Sequence, residues 1–238
     1  MLKVHKFGPA FGLPDASPFV IKLETYLRMA GLPYETVNGD VRKAPKRKLP
    51  LLEENGKLIA DSTVIVDTLE ARSDHKLDAH LDAKQRAIGQ AYKSMLEEHL
   101  YFVILALRWT TDDGWTVFEP TLREMIGRAG VPSMLRGVIS KQARKGVIAQ
   151  AHAQGTGRHN RAEMVAMGSK IVDALAEQIG DGPYFFGDKA TTYDATAYAF
   201  AAGVLVPAFD NELHKHAKTK KHLVSYEKRM KDKYWAEG

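Results

Sequence analysis

Apolar positions in the first 75 residues recur in short blocks, first with the period of a strand and then with that of a helix. Residues 2–7 (LKVHKF) predict a strand, and a loop rich in glycine and proline follows. A second strand is predicted at residues 34–37 (YETV). Between them an apolar stripe at relative positions 0, 4, 7, 8 and 11 predicts a helix: Phe19, Leu23, Tyr26, Leu27 and Ala30.

The ends of this helix carry the residues that such ends prefer. Ser17 suits the N-cap, Pro18 suits the first helical position, and Gly31 suits the position after the C-cap. Two short strands are then predicted at 49–53 and 57–60, joined by an Asn-Gly hairpin turn. A further helix starts after them, with either Asp61 or Ser62 as its cap.

The rest of the chain has helical periodicity. A polar stretch at 73–82 resembles a linker, and Thr191 with Asp194 forms a capping box at the start of one later helix. The order β-α-β, connector, β-β-α predicts a thioredoxin-like α/β domain at residues 1–75, followed by an all-helical domain at 83–238. The predicted fold class is therefore α+β.

Composition narrows the chemistry. The 238 residues are 45% hydrophobic and include no cysteine, so disulfides and any thiolate supplied by the protein are excluded. No apolar run approaches 20 residues, and we predict no signal peptide, no membrane partner and a cytoplasmic location. Histidines occur without cysteines or an HExxH pattern, so no metal site is predicted.

The net charge of +5 is concentrated in two places. Residues 214–233 carry a balance of +6, and residues 42–48 hold a second basic cluster. Such blocks can bind phosphates or acidic partners, but a solvated face explains them more simply. No nucleic-acid-binding motif accompanies them, and no nucleic-acid partner is predicted.

Two longer segments resemble the glutathione S-transferase family. "KLPLLEENGKLIADSTVIVDTLEAR" (48–72) is similar to its segment with a cis-proline, a hairpin and an acidic-Ser pair, and "PYFFGDKATTYDATAYAF" (183–200) to its helical-domain signature. "SPFVIKLETYLRMAGLPYE" (17–35), "QGTGRHNRAEM" (154–164) and "LVSYEKRM" (223–230) most resemble the metaxin and failed-axon-connections branch and its bacterial relatives.

This resemblance implies a transferase that activates the thiol of glutathione as a co-substrate. The thiol pKa is about 8.5, and lowering it by about two units requires about 2.7 kcal/mol of preference for the anion. A hydroxyl hydrogen bond to an anion contributes roughly 1.5–3 kcal/mol, and a helix N-terminus adds roughly 0.3–1 kcal/mol. Ser17 is the candidate catalytic residue; capping of its helix is the alternative role. Val20, together with the serine at position 17, excludes disulfide exchange.

The resemblance also implies the binding residues. Leu49, before Pro50, would pair its backbone with the cysteinyl unit, and Lys48 would meet the glycyl carboxylate. Asp61 and Ser62 would hold the γ-glutamyl end, with simple helix capping as their alternative role. Three aromatic residues complete the predicted substrate-binding set: Phe19, Tyr101 and Trp109. Tyr101 and Trp109 would bind a small apolar electrophile, although core packing would also explain these aromatic residues.

A second hypothesis stays open at this point. The branch that the chain resembles includes assembly and adhesion-related members, so a non-catalytic interaction module that works through residues 214–233 is the alternative. A homodimer is expected by analogy with the family.

Overall fold

The structure is a computed structural model and describes residues 1–74, 76–206 and 208–236. Its described part contains one four-stranded mixed sheet in the order β2-β1-β3-β4. β1 and β2 are parallel, and the other neighbouring pairs are antiparallel. The strands are β1 (Leu2–Lys6), β2 (Tyr34–Asn38), β3 (Leu51–Glu54) and β4 (Lys57–Ala60).

Ten α-helices are described, together with a π-helical segment at Met95–Leu100 and a 3-10 turn at Thr156–Arg158. The helices are α1 (Pro18–Met29), α2 (Ser62–Ala71), α3 (Ala83–Ser94), α4 (Tyr101–Trp109), α5 (Asp112–Arg128), α6 (Ser133–Gln154), α7 (Arg161–Ile179), α8 (Thr192–Val204), α9 (Glu212–Lys218) and α10 (Lys221–Tyr234). The α+β class and the order of the sheet elements are confirmed, whereas the boundaries 1–75 and 83–238 stay predictions.

Helix α1 connects β1 to β2 and starts and stops where the sequence predicts. Pro18 occupies its first turn, and Gly31 has a φ of 66°, which suits a residue without Cβ. The hairpin turn between β3 and β4 has Asn55 at φ 51° and Gly56 at φ 77°, as expected for a two-residue Asn-Gly turn. β3 begins two residues later than predicted, after the cis peptide bond between Leu49 and Pro50.

The core has two main parts, and α1 contributes to both. Leu23, Tyr26 and Leu27 pack against the sheet and α2, while Ile21 packs among the helices. The alanine-rich α8 is almost wholly buried and lies against α1. Since one helix contacts both layers, the helical part is held close to the sheet.

The predicted capping box at α8 is present. Asp194 Oδ2 accepts hydrogen bonds from the N–H and the hydroxyl of Thr191, both at 2.8 Å. Its Oδ1 accepts from the N–H of Phe185 at 2.7 Å and from the hydroxyl of Tyr226 at 2.9 Å. This carboxylate therefore joins three segments of the helical part, which confirms its assignment to folding. Among the described residues, no helix combines the length and apolar character that crossing a membrane requires.

Candidate active site

A cleft of about 440 Å³ opens where the sheet and α2 meet the first helices of the helical part. Six predicted site residues lie in its lining: Phe19, Lys48, Leu49, Pro50, Asp61 and Ser62. The sequence analysis missed most of the opposite wall, namely Gln90, Lys93, Ser94, Glu97 and Glu98. The remaining lining residues are Lys46, Thr63 and Val64.

The peptide backbone is available at one edge of this cleft. Leu49 precedes Pro50 through a cis bond, as the resemblance implies. Within the described chain, neither the N–H nor the C=O of Leu49 has a hydrogen-bond partner. A backbone edge of this kind can pair with an extended peptide in the manner of an added strand.

The start of α2 forms the neighbouring wall. Asp61 is the N-cap, and its Oδ1 accepts hydrogen bonds from the N–H groups of Thr63 at 3.0 Å and Val64 at 3.3 Å. Asp61 also has a φ of 91°, an uncommon conformation for a residue with a Cβ. Such strain persists where the surrounding structure enforces it, which is frequent in ligand sites. Ser62 is 4% exposed and begins the helix beneath it.

Charges of both signs face the cleft at different places. Lys46 and Lys48 lie exposed on the loop before β3. Asp61 lies at the start of α2, and the facing wall carries both signs, with Lys93 beside Glu97 and Glu98. The cleft can therefore receive a zwitterionic ligand, with its carboxylate near the lysines and its ammonium near the acidic residues.

Behind the cleft, a buried ion pair connects the two layers. Lys22 of α1 is 2% exposed, and its Nζ lies 2.6 Å from Oε1 of Glu97. The same Nζ donates to Thr63 Oγ1 at 2.8 Å, and Thr63 Oγ1 donates to Glu97 Oε2 at 3.2 Å. Burial lowers the pKa of Lys22, and the charge of Glu97 opposes that shift. The network fixes Thr63 and Glu97, which both line the cleft.

Ser17 lies at the N-terminus of α1 and is partly buried. Its N–H donates to Oδ1 of Asp15 at 2.9 Å, and the N–H of Gly8 donates to the other oxygen at 2.7 Å. In the described structure, the Ser17 hydroxyl makes no capping hydrogen bond to the first turn of α1. The geometry therefore gives no support to capping as the role of this hydroxyl.

Asp15 holds the loop that leads to Ser17. The carboxyl group is fully buried, and burial raises its pKa to about 7, against the effect of the two backbone donors and of Lys6. Nothing in the sequence pattern identifies this aspartate, because an acidic residue in a loop usually faces solvent.

Three residues of the predicted site lie outside the lining of the described cleft: Ser17, Tyr101 and Trp109. Tyr101 packs edge-on against Phe19, with ring centroids 4.9 Å apart, so it contacts one residue of the lining. Trp109 belongs to a separate aromatic cluster, where its ring lies 4.7 Å from Phe118 and 5.7 Å from Trp115. The structure thus does not bring Trp109 into the cleft.

The basic segment 214–233 is engaged with the fold at some positions, whereas six of its lysines are exposed: Lys215, Lys218, Lys221, Lys228, Lys231 and Lys233. Lys220 pairs with Asp173 at 2.6 Å, and Arg229 donates to the carbonyl groups of Pro183 and Gly182. Its histidines contact separate partners: His214 the carbonyl of Val204, His216 Asp173, and His222 Asp181. Lys220, Arg229 and the histidines thus contribute to the fold, and the exposed lysines form a solvated basic face.

Comparison with known proteins identifies the family. A model described as the glutathione S-transferase N-terminal domain matches residues 18–114, and one for the glutathione S-transferase C-terminal domain matches residues 168–230. The chain belongs to the glutathione S-transferase superfamily. The resemblance found in the sequence is therefore confirmed.

Individual relatives divide into two kinds. The isoprene-epoxide–glutathione S-transferase of Rhodococcus sp. (strain AD45) is 30% identical over 98% of this chain and 99% of its own. Failed axon connections of Drosophila melanogaster is 31% identical over 98% of this chain, which spans 58% of that protein. Metaxin-2 of Mus musculus is 26% identical over 92% of this chain and 83% of its own. This transferase-family chain thus resembles both an enzyme and the metaxin-like branch.

Among solved structures, the β-etherase LigF from Sphingobium sp. strain SYK-6 superposes with a TM-score of 0.64. The alignment covers 99% of each chain at 18% identity, so it supports the fold alone.

Proposed function

We propose that this protein is a glutathione transferase that joins the thiolate of glutathione to a small electrophile. One observation carries the proposal: three features line the same cleft. They are the free backbone edge of Leu49, the start of α2 at Asp61 and Ser62, and the lysines of the loop before β3. A full-length relative named as a glutathione S-transferase supports the same conclusion.

Each part of glutathione has a complementary group in the proposal. The cysteinyl backbone pairs with the N–H and C=O of Leu49 beside Pro50. Asp61 binds the ammonium of the γ-glutamyl unit, and Ser62 with the helix N-terminus binds its carboxylate. Lys48 binds the glycyl carboxylate, and Phe19 covers the ligand from the α1 side.

In this proposal, Ser17 stabilises the thiolate. Its hydroxyl makes no capping bond in the described structure, and the N-terminus of α1 adds a favourable field for an anion. The thiol proton leaves to solvent, and the hydroxyl donates to the resulting anion. The sulfur then forms a C–S bond to the electrophilic carbon as the bond from that carbon to its leaving group, or to the ring oxygen of an epoxide, breaks; the displaced anion takes a proton from solvent. No metal has a role in this chemistry. In the proposal the electrophile binds beside Phe19 and Tyr101. Trp109 has no contact with the electrophile and belongs to the aromatic cluster.

The decisive test is the ionisation of bound glutathione. Ultraviolet difference titration of the wild type is expected to show a thiol pKa below the free value of about 8.5. Ser17→Ala is expected to return the pKa toward that value while calorimetry shows unchanged glutathione affinity, and Ser17→Thr, which keeps the hydroxyl, is expected to restore part of the shift. Equal thiol pKa values in wild type and Ser17→Ala would remove Ser17 from the mechanism.

A second candidate is a non-catalytic interaction module. The similarity to failed axon connections and metaxin-2 supports it. The internal contacts of Lys220 and Arg229 count against these two residues as its working surface, whereas the other lysines of 214–233 are exposed. Absence of glutathione binding at millimolar concentration, together with partner capture that depends on this segment, would favour the module over the enzyme.

The proposal also includes a homodimer and a cytoplasmic location. Family analogy places the sheet domain of one subunit against the helical domain of the other. Sedimentation analysis and cell fractionation test these two statements separately from catalysis.

A further inference from the structure

Arg108 of α4 is a buried cation that has no counter-ion among the described residues. It is 7% exposed, and its Nη2 donates to the carbonyl oxygen of Gly203 at 3.1 Å. Its guanidinium carbon lies 4.4 Å from the centre of the Phe209 ring. In the part of the chain that the structure describes, no carboxylate forms an ion pair with Arg108, in contrast to the buried Lys22.

One carbonyl and one ring leave most of this guanidinium unpaired. Arginine has five N–H donors, and a buried charge without partners is costly. Among the described residues, no fully enclosed side-chain nitrogen or oxygen lacks a hydrogen-bond partner. The nitrogens of Arg108 that have no protein partner therefore keep some accessible surface. Burial lowers the pKa of Arg108 to about 10, so the group is still charged at neutral pH.

The surroundings of Arg108 are aromatic and adjoin the loop that leads to Ser17. Phe209, against which Arg108 stacks, has its ring centre 4.8 Å from that of Phe11 in this loop. Tyr101 is seven residues before Arg108 on the same helix, so both side chains lie on one face, about 10 Å apart along the axis. Tyr101 in turn packs against Phe19. Arg108 thus lies outside the lining of the cleft, on the α4 face whose other end, at Tyr101, contacts the lining residue Phe19.

We propose that Arg108 is the anion-binding end of the electrophile site and that the preferred electrophiles combine an aromatic or apolar body with a carboxylate. This inference rests on the proposed transferase function, because it names the substrate class of the same site. A guanidinium binds a carboxylate through two parallel hydrogen bonds, which are strong where water is excluded. A single positive charge also balances a carboxylate better than it balances a phosphate dianion.

The test compares two electrophiles of nearly equal shape, with each enzymatic rate divided by the rate of the uncatalysed reaction with glutathione. 4-(Oxiran-2-yl)benzoate and 4-(oxiran-2-yl)benzamide differ in the charge of one group that is remote from the epoxide. Consumption of glutathione gives kcat/KM for each. The wild type is expected to prefer the benzoate at least about tenfold, and Arg108→Gln is expected to remove this preference because kcat/KM falls at least about tenfold more for the benzoate than for the benzamide.

Arg144→Gln is the matched control. Arg144 also stacks on an aromatic ring, that of Trp115 at 4.8 Å, but it is partly exposed and pairs with Asp112. This variant is expected to keep the preference for the benzoate. A wild type that treats both epoxides alike would overturn the proposal. So would equal losses on both substrates in Arg108→Gln, since those indicate a structural role for the contact with Gly203.

A binding measurement separates this inference from the proposed function. The unreactive pair 4-ethylbenzoate and 4-ethylbenzamide is titrated by calorimetry against wild type, Arg108→Gln and Arg108→Lys. Benzoate binding that is lost in Arg108→Gln and partly kept in Arg108→Lys supports the anion site even if no epoxide is turned over, in which case only the transferase proposal fails. If Arg108→Gln does not fold, the wild-type preference and Arg108→Lys decide. Equal affinity of the wild type for both ligands overturns the inference.

Discussion

Lys22 and Glu97 form an ion pair, with 2.6 Å between Nζ and Oε1, that joins the helix between β1 and β2 to the wall of the cleft that faces α2. Lys22 lies on α1, whereas Glu97 lies on the π-helical segment between α3 and α4. Thr196 of α8 also donates to Glu97, at 3.3 Å. Four elements therefore meet at two opposite charges. A π-helical turn at such a place is typical of functional sites in helical proteins.

Breaking this pair from one side is expected to destabilise the fold strongly. Lys22→Met leaves Glu97 buried with only the two threonines, and an uncompensated buried charge of this kind costs about 3–5 kcal/mol of unfolding free energy. Urea denaturation followed by circular dichroism measures the change. Glu97→Gln is the converse variant and leaves the lysine unpaired.

The double variant Lys22→Met/Glu97→Leu distinguishes the pair from simple packing. Because two apolar residues of similar volume avoid the desolvation cost, the double variant is expected to be more stable than either single variant. If the losses of unfolding free energy in the two single variants add up in the double variant, the two charges do not depend on each other.

Ser17→Ala is expected to leave the stability unchanged. Loss of an N-cap hydroxyl usually costs about 1 kcal/mol, but this hydroxyl makes no capping bond in the described structure. We expect a change below about 0.5 kcal/mol, together with a loss of kcat/KM on the order of 10- to 100-fold. Parallel denaturation and activity assays measure both quantities. A stability loss near the usual capping value, with full activity, would assign Ser17 to the fold.

Asp61→Asn separates ligand binding from helix capping. Both capping hydrogen bonds of Asp61 go to Oδ1, and asparagine retains an oxygen acceptor at that position. The helix start is therefore expected to stay intact while the negative charge is lost. Calorimetry is expected to show glutathione affinity reduced about tenfold or more, because the lost contact is charge-assisted. Unchanged affinity would leave Asp61 with the capping role alone.

Much of the sheet and its helices is predictable from local patterns. Ser17, Pro18 and Gly31 delimit α1, and the Asn-Gly pair marks the hairpin, because these residues act through backbone geometry within a few positions. The capping box of Asp194 is local in the same sense. Asp61 rather than Ser62 proves to be the cap of α2, an alternative that the sequence left open.

The facing wall of the cleft is not predictable in this way. Glu97 contacts Lys22, 75 residues earlier in the chain, and no periodicity reveals which helix faces which. Lys22 lies between the apolar residues Ile21 and Leu23 of α1, and nothing in this pattern distinguishes it from an ordinary surface lysine. Arg108 is hidden in the same manner, in an apolar run that predicts only burial. Functional polar residues inside helices thus need the tertiary structure to be recognised.

Asp15 is expected to make the stability of the protein depend on pH between about 4 and 7. Burial raises the pKa of this carboxyl from 3.8 to about 7 in the folded protein. Between these values the folded chain binds more protons than the unfolded chain, so the unfolding free energy falls as the pH rises. The fall ends above the folded pKa, and three pH units correspond to at most about 4 kcal/mol.

Comparison with Asp15→Asn isolates this contribution from other titrations, including those of the neighbouring Lys6 and Glu24. The amide cannot ionise, and its NH2 loses one of the two backbone donors, Gly8 or Ser17, at every pH. The unfolding free energy of wild type minus that of the variant is therefore expected to decrease from pH 4 to pH 7 and to be constant above pH 8, as measured by urea denaturation at each pH. A difference that is the same at all pH values would show that the carboxylate is already ionised at pH 4 and that the two backbone donors outweigh burial.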